Sequence, residues 1–193
     1  MSYQFPSARP VSSISFFLNA FALAGICTAL LAAFFFQLVR AEIPCPLCML
    51  QRVGLMFVGF GFAMNLRFGT SAVHYAVVIL SAAVGAGASL RQILLHIVPN
   101  DPGFGPAIFG YHMYTWGFIA FMGCIVFSAV MLFIDRAQLS GPRQIARTTI
   151  GTALIALLVL LSAGNIVSNV LTCGFAPCDD NPVGYIFQRG LFP

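Results

Sequence analysis

The feature that most constrains the fold is a series of five long apolar stretches separated by polar segments. They cover residues 12–39, 49–66, 72–98, 114–134 and 149–171. A helix needs roughly 20 apolar residues to cross a bilayer, and backbone in lipid must satisfy its own hydrogen bonds. The chain is 60% hydrophobic and only 7% charged, which excludes a soluble globular domain of this size. The sequence therefore predicts an all-α membrane protein, built as a bundle of transmembrane helices.

The polar segments are too short for separate soluble domains, so we expect a single integral membrane domain over residues 1–193. The longest of them are residues 99–112, residues 135–148 and a tail over residues 172–193. The first apolar stretch is too long for the core of a signal peptide, and we expect it to remain as an anchor. The nine basic residues are all arginines and form no stripe, which gives no support to nucleic-acid binding.

The arginines in the polar segments indicate the orientation of the bundle. Those on the side of the N-terminus are Arg9, Arg67, Arg136, Arg143 and Arg147, and those on the other side are Arg40 and Arg189. Arg52 and Arg91 lie inside predicted helices and do not count as loop charges. Because positively charged loops stay on the cytoplasmic side, this bias predicts a cytoplasmic N-terminus.

Two close cysteine pairs lie outside the apolar stretches. Cys45 and Cys48 precede the second stretch, and Cys173 and Cys178 follow the fifth. Four predicted helices separate Cys48 from Cys173, so both pairs are expected at the same face of the membrane. With a cytoplasmic N-terminus, that face is the oxidising one, where disulfides persist. The pattern predicts a membrane thiol–disulfide oxidoreductase.

The sequence around Cys48 is typical of a reactive thiol. Pro46 suits the first turn of a helix, because its missing N–H needs no partner there. We therefore expect the second helix to begin at this point, with Cys48 in its positive N-terminal field, which stabilises a thiolate. Arg52 follows at i+4 on the same helix face, about 6 Å below the helix start at 1.5 Å per residue. Its charge stabilises the thiolate further.

Two other interpretations of the cysteines stay open at this point. Four cysteines are also the ligand set of a structural zinc site, although the spacing between Cys173 and Cys178 is wider than usual. Alternatively, structural disulfides only brace the loops of a non-enzymatic assembly or transport subunit. A staple does not require Arg52 one turn below the pair. This favours the redox interpretation, in which Cys45, Cys48, Cys173 and Cys178 are all catalytic.

A group of polar side chains in the same leaflet predicts a ligand site. Arg91, Gln92 and His96 lie in the last two turns of the third predicted helix, at a depth similar to that of Arg52. Such groups are costly within a membrane and mark function. A quinone fits this site, because its carbonyls need donors and its tail belongs in lipid. For Arg91 and His96 the alternative is snorkelling to the headgroups.

Residues 44–52, Pro-Cys-Pro-Leu-Cys-Met-Leu-Gln-Arg, resemble the first-loop signature of the disulfide-bond formation protein B (DsbB) family. The similarity extends through Arg91-Gln92 and covers the first to the fourth helix. Family members are bacterial inner-membrane proteins that reoxidise a periplasmic thioredoxin-fold dithiol oxidase (DsbA-type) and pass the electrons to a quinone (ubiquinone or menaquinone). The resemblance implies a four-helix bundle, here with a fifth C-terminal transmembrane helix, and cysteine pairs on the periplasmic side.

The resemblance also implies roles for individual residues. Cys45 receives electrons, and Cys48 is the cysteine on the quinone side. Arg52 helps to hold the quinone. His96 is the best match to a family histidine that lines the same site near the end of the third helix.

The chain departs from the family pattern in the position of its second cysteine pair. Family members usually carry this pair in the outer loop between the third and fourth helices, but residues 99–112 contain no cysteine. The added fifth helix instead delivers Cys173 and Cys178 to the same face. We expect a partner thiolate to attack the Cys173–Cys178 disulfide, and the freed thiol then to attack Cys45–Cys48 through a mixed disulfide.

Overall fold

A computed structural model describes residues 13–105, 107–137, 148–174, 178 and 184–185. These residues form the helices α1 (Ser13–Val39), α2 (Pro46–Phe68), α3 (Ala72–Leu95), α4 (Met113–Ile134) and α5 (Thr149–Cys173). All five are long and apolar enough to cross a membrane. The prediction of an all-α membrane protein with five transmembrane helices is confirmed. Most of the predicted tail over residues 172–193 lies outside the described residues.

The central helix of the bundle is α2. It packs along α1 and α3, α4 packs on α3, and α5 lies against α1 and α2. Every helix contributes a fully buried side chain to the core: Leu23, Phe62, Val78, Phe121 and Leu158. The added fifth helix is therefore an integral part of the bundle.

The outward faces of the helices carry large apolar side chains. Phe21, Leu80, Phe133 and Leu160 are each more than two-thirds exposed. Exposed apolar surface on this scale would be unstable in water, but it is the surface that lipid requires. The inward faces combine large apolar core side chains with small and polar residues, and small and polar residues are usual where transmembrane helices pack together.

Cys45 and Pro46 define the start of α2. Cys45 is the N-cap, and its Sγ accepts the backbone N–H of Cys48 at 3.1 Å. Pro46 occupies the first helical position, where no intrahelical donor is needed. The prediction that the helix begins at this proline is confirmed, and the helix starts three residues before the apolar stretch over residues 49–66.

The third helix ends earlier than its hydropathy predicts. The apolar run extends to residue 98, but α3 ends at Leu95 and His96 is its C-cap. The His96 backbone N–H donates to the Ile93 carbonyl at 3.2 Å, and its ring nitrogen Nδ1 lies 3.0 Å from an Asp101 carboxylate oxygen. These contacts turn the chain out of the helix and into the loop before α4.

A short hairpin leads from that loop into α4. Its antiparallel strands, β1 (Ala107–Ile108) and β2 (Tyr111–His112), are joined by Phe109 and Gly110. Both joining residues have positive φ, as a two-residue hairpin turn requires. The Trp116 indole N–H donates to the Ile108 carbonyl at 3.1 Å and ties the hairpin to α4.

A buried polar network holds the opposite end of the bundle together. The Asp135 carboxylate accepts hydrogen bonds from the hydroxyls of Ser15 and Tyr75. The Asn19 amide donates to the Tyr75 hydroxyl at 2.8 Å and accepts from the Asn65 amide at 2.9 Å. Because these residues belong to α1, α2, α3 and the end of α4, the network fixes the helices relative to one another.

Candidate functional site: the cysteine end of the bundle

A cavity of about 350 Å³ opens between α1, α2 and α4, beneath the loop that follows α3. Its walls are mainly apolar and include Ala29, Ala33, Leu55 and Phe121. Its polar lining consists of Glu42, Cys48, Gln51, Arg52, Tyr114 and Trp116. An apolar cavity with a few polar groups at one end is the usual form of a small-molecule site.

The cysteine pair at the start of α2 is held by two glutamines. The Gln92 Nε2 lies 3.4 Å from the Cys45 Sγ and 3.6 Å from the Cys48 Sγ. The Gln92 Oε1 accepts from the Gln51 Nε2 at 2.7 Å, which turns the donating end of the Gln92 amide toward the sulfurs. Gln92 is only 2% exposed. A buried donor at this position stabilises negative charge on sulfur.

The two cysteines of this pair have different surroundings. Both are free thiols, but Cys45 is buried, whereas Cys48 is partly exposed and lines the cavity. A side-chain hydrogen bond with the Cys48 thiol, with burial adding to it, raises the pKa of the Cys45 thiol well above its usual range, although the Cys48 backbone N–H opposes this shift. Cys45 therefore holds its proton, and Cys48 is the sulfur that a molecule in the cavity would meet.

Arg52 lies one turn below Cys48 and is buried, with 8% of its surface exposed. Its Nη1 donates to the Gln37 Oε1 at 2.5 Å and its Nη2 to the Ala33 carbonyl at 2.9 Å. The guanidinium carbon also lies 5.7 Å from the centre of the Phe34 ring. All of these partners are on α1, so contacts with this neighbouring helix hold the Arg52 side chain at the cavity wall.

Glu42 contributes an acid to the mouth of the cavity. It follows Ala41, a non-glycine residue in the left-handed region at φ 56°. The Glu42 backbone N–H donates to the Phe36 carbonyl at 3.2 Å and so closes the end of α1. Burial raises the pKa of the Glu42 carboxyl, and the nearby Arg40 opposes this shift.

Of the four predicted quinone-site residues, Arg52 lines the cavity, whereas Gln92, His96 and Arg91 lie outside its lining. His96 is half-buried, and its ring stacks on that of Tyr114 with centroids 5.6 Å apart, so one ring separates it from the cavity. The backbone N–H of Gly103 and the His96 ring hold the pKa of Asp101 below its usual range. Arg91 is exposed and is not among the residues around the cavity.

The second cysteine pair forms a disulfide, Cys173–Cys178. Its sulfurs lie 3.6 Å and 3.8 Å from the Sδ of Met49, the residue that follows Cys48. The prediction that both pairs lie at the same end of the bundle is confirmed. A zinc site would need all four sulfurs as free thiolates, and the described residues hold no cluster of three or more metal-ligating side chains.

Three residues at this end carried no role in the prediction from sequence: Gln37, Gln51 and Met49. The sequence could have indicated a role for Gln37, because it is a single amide in the otherwise apolar last turns of α1, and polar residues within a membrane mark function. Gln51 lay within the motif but had no assigned partner. Met49 had no signal, since methionine is common in apolar helices.

Comparison with known proteins gives one consistent family. Residues 15–105 match the family model described as disulfide bond formation protein DsbB. The chain is similar to disulfide bond formation protein B of Burkholderia pseudomallei (strain 1106a), at 31% identity over 157 residues that cover 61% of this chain and 89% of the relative. It is also similar to that of Chromobacterium violaceum, at 42% identity over 99 residues, or 48% of this chain and 58% of the relative. No solved structure matches.

Proposed function

Since the chain belongs to the disulfide bond formation protein B family, we propose that it oxidises a periplasmic thioredoxin-fold dithiol protein (DsbA-type) and passes the electrons to a membrane quinone. As a member, it is a disulfide-forming, multi-pass protein of the bacterial inner membrane. In this proposal the N-terminus is cytoplasmic, and both cysteine pairs face the periplasm. The quinone is ubiquinone or menaquinone.

One observation carries the proposal: Cys48 and Arg52 line the same apolar cavity. The cavity fits a quinone, because its alanine, leucine and phenylalanine walls suit a ring and an isoprenoid tail. Arg52 and Gln51 are candidate donors to the carbonyl oxygens. A bound quinone supplies the electron acceptor, since it takes up two electrons and two protons and leaves as a quinol.

The inner pair delivers those electrons. Cys48 carries the negative charge, stabilised by the N-terminus of α2, the Gln92 amide at 3.6 Å and the charge of Arg52. Cys45 keeps its proton until the second electron leaves. When both electrons have left, the sulfurs of Cys45 and Cys48 join as a disulfide and two protons have been released.

The outer pair connects this chemistry to the partner. A partner thiolate attacks the Cys173–Cys178 disulfide, and the second partner thiol resolves the mixed disulfide, leaving an oxidised partner and two reduced tail cysteines. One of these then attacks Cys45 in the inner disulfide and releases Cys48 as a thiolate, and the other tail thiol resolves the mixed disulfide, which re-forms the Cys173–Cys178 bond and frees Cys45. Each exchange moves two electrons and two protons. The contacts of Met49 with both tail sulfurs support this route, because they bring the tail disulfide beside the inner pair.

The proposal is tested with purified protein in detergent or nanodiscs. A reduced thioredoxin-fold dithiol protein and a short-chain ubiquinone or menaquinone are added, and the loss of quinone absorbance is followed together with the loss of partner thiols. We expect one quinone to be consumed per partner dithiol, at a rate proportional to the concentration of this protein. Oxidation of the partner without consumption of either quinone would reject the electron acceptor that we propose.

A further inference from the structure

We propose that Gln37 is a positioning residue that aims the Arg52 guanidinium into the cavity, and that Ser168 and Tyr185 hold Gln37 in the orientation this requires. The inference rests on the proposed function, because it concerns the arginine of the proposed quinone site. It gives α5 and the segment after it a second role, separate from carrying the tail disulfide.

The charge of Arg52 is held in place without being neutralised. Its two hydrogen bonds go to uncharged acceptors, the Gln37 Oε1 at 2.5 Å and the Ala33 carbonyl at 2.9 Å. Within the described part of the chain, no carboxylate lies within ion-pair distance of this guanidinium. The full positive charge therefore remains available to a carbonyl oxygen or a thiolate in the cavity.

This arrangement works in only one of the two orientations of the Gln37 amide. A guanidinium only donates hydrogen bonds, so the amide oxygen must face Arg52 and the NH₂ group must point away. The NH₂ group then lies 2.7 Å from the Ser168 Oγ and 3.1 Å from the Tyr185 Oη. Arg52 selects this orientation, because a hydroxyl can either donate or accept, and the two hydroxyls then hold the amide in it by accepting from the NH₂ group. Without them, the NH₂ group has no partner in the productive orientation.

Burial makes the loss of these acceptors costly. Gln37 is 3% exposed and Ser168 is 6% exposed, so water cannot readily replace the lost acceptors. A buried donor left without a partner carries its full desolvation cost. The amide therefore depends on the hydroxyls of the fifth helix and the tail.

The residues that hold Gln37 come from a part of the chain that the family model does not cover. Gln37 and Arg52 fall within the matched residues 15–105, whereas Ser168 and Tyr185 lie beyond them. Ser168 precedes the tail disulfide and Tyr185 follows it. The added helix and the segment after it thus supply the hydrogen-bond acceptors of Gln37, and Gln37 in turn holds Arg52, which lies within the region that the family model matches.

The test uses the single tryptophan of the chain as a reporter. Trp116 lines the cavity, so titration with a short-chain ubiquinone should quench its fluorescence and give a Kd that does not depend on turnover. We expect the double variant Ser168→Ala/Tyr185→Phe to raise this Kd about five- to tenfold. Ser162→Ala is the matched control, because Ser162 is also buried in α5 and its hydroxyl has no hydrogen-bond partner among the described residues. Its Kd should equal that of the wild type.

A double-mutant cycle shows whether the hydroxyls act through Gln37. We expect Gln37→Leu to raise the Kd about tenfold or more, and in that background removal of both hydroxyls should add less than about twofold. Penalties that add in full would overturn the inference. The hydroxyl variants lose one oxygen atom per residue, so they test it even if Gln37→Leu does not fold.

The same titration separates this inference from the proposed function. If the wild-type protein shows no quenching by either quinone class, the proposed quinone site is wrong. If the wild type binds quinone and the folded double variant binds it equally well, only the positioning role is wrong.

Discussion

The Sγ of Cys173 lies 3.6 Å from the Sδ of Met49. Met49 directly follows Cys48 in α2, so the contact joins the tail disulfide to the helix that carries the inner pair. The methionine side chain is flexible, and it can move aside without displacing either backbone. The tail pair is therefore positioned to exchange with the inner pair, although it is reached through a helix that the family match does not include.

Replacing Cys173 by serine separates the two halves of the proposed relay. Cys173→Ser leaves Cys178 without its disulfide partner, so we expect it to abolish oxidation of a protein dithiol. Quinone reduction driven by a small thiol should continue, because a small thiol can reach the inner pair directly. Both activities are measured on one preparation, as partner thiol loss and as quinone absorbance.

A different result would assign the tail pair a structural role. If Cys173→Ser oxidises the protein dithiol at the wild-type rate, the disulfide only braces the end of α5. Cys178→Ser must then behave in the same way, since either change breaks the same bond.

Cys48→Ser should abolish quinone reduction with every thiol donor. The serine hydroxyl cannot form a disulfide with Cys45 or give up electrons, and no other cysteine lines the cavity among the described residues. Cys124→Ser is the matched control, because Cys124 is a free, partly buried thiol in α4 away from the cavity lining. Turnover that survives in purified Cys48→Ser protein would remove this residue from the mechanism.

Arg52→Ala should weaken quinone binding more than it slows the chemistry. The loss of a charged donor at the cavity wall is expected to raise the apparent KM for a short-chain quinone about tenfold or more. Arg67→Ala, at the other end of the same helix, should leave KM unchanged. A KM for Arg52→Ala equal to that of the wild type would mean that the arginine only ties α2 to α1.

The fold was largely predictable because hydropathy alone encodes membrane-spanning helices. The five helices were each expected, and Pro46 correctly marked the start of α2. The end of α3 was not predictable, because residues 97 and 98 continue the apolar run. At the end of the helix the His96 ring contacts Asp101, and hydropathy does not record such a contact.

The candidate site was predictable where spacing within one helix decides it. Cys48 and Arg52 are four residues apart, so they share a face, and both line the cavity. Arg91 and Gln92 are adjacent, and neighbouring residues of a helix point about 100° apart. Only one of them can face the interior: Gln92 is buried against the cysteines, and Arg91 is exposed.

The contact of Gln37 with Tyr185 illustrates what remained beyond the sequence. The two residues are 148 positions apart, and nothing in the local pattern of either segment indicates the other. Such pairings follow from how α5 packs against α1 and α2, which only the assembled bundle shows.

The two inner cysteines should differ strongly in their reactivity with alkylating reagents after reduction. The side-chain hydrogen bond with the Cys48 thiol and burial raise the pKa of Cys45, so its reactive thiolate is scarce at neutral pH. Cys45 is also the less accessible sulfur. We expect a small maleimide at pH 7 to label Cys48 at least about tenfold faster than Cys45. Because a raised thiol pKa delays ionisation, the labelling rate of Cys45 should still be rising with pH where that of an ordinary thiol has levelled off.

Peptide mass spectrometry of timed samples measures the labelling rates of both cysteines. Cys45 in the Cys48→Ser variant is the control, since that change removes the thiol partner that raises its pKa. Equal labelling of both cysteines in the wild type would contradict the assignment of Cys48 as the cavity-facing sulfur.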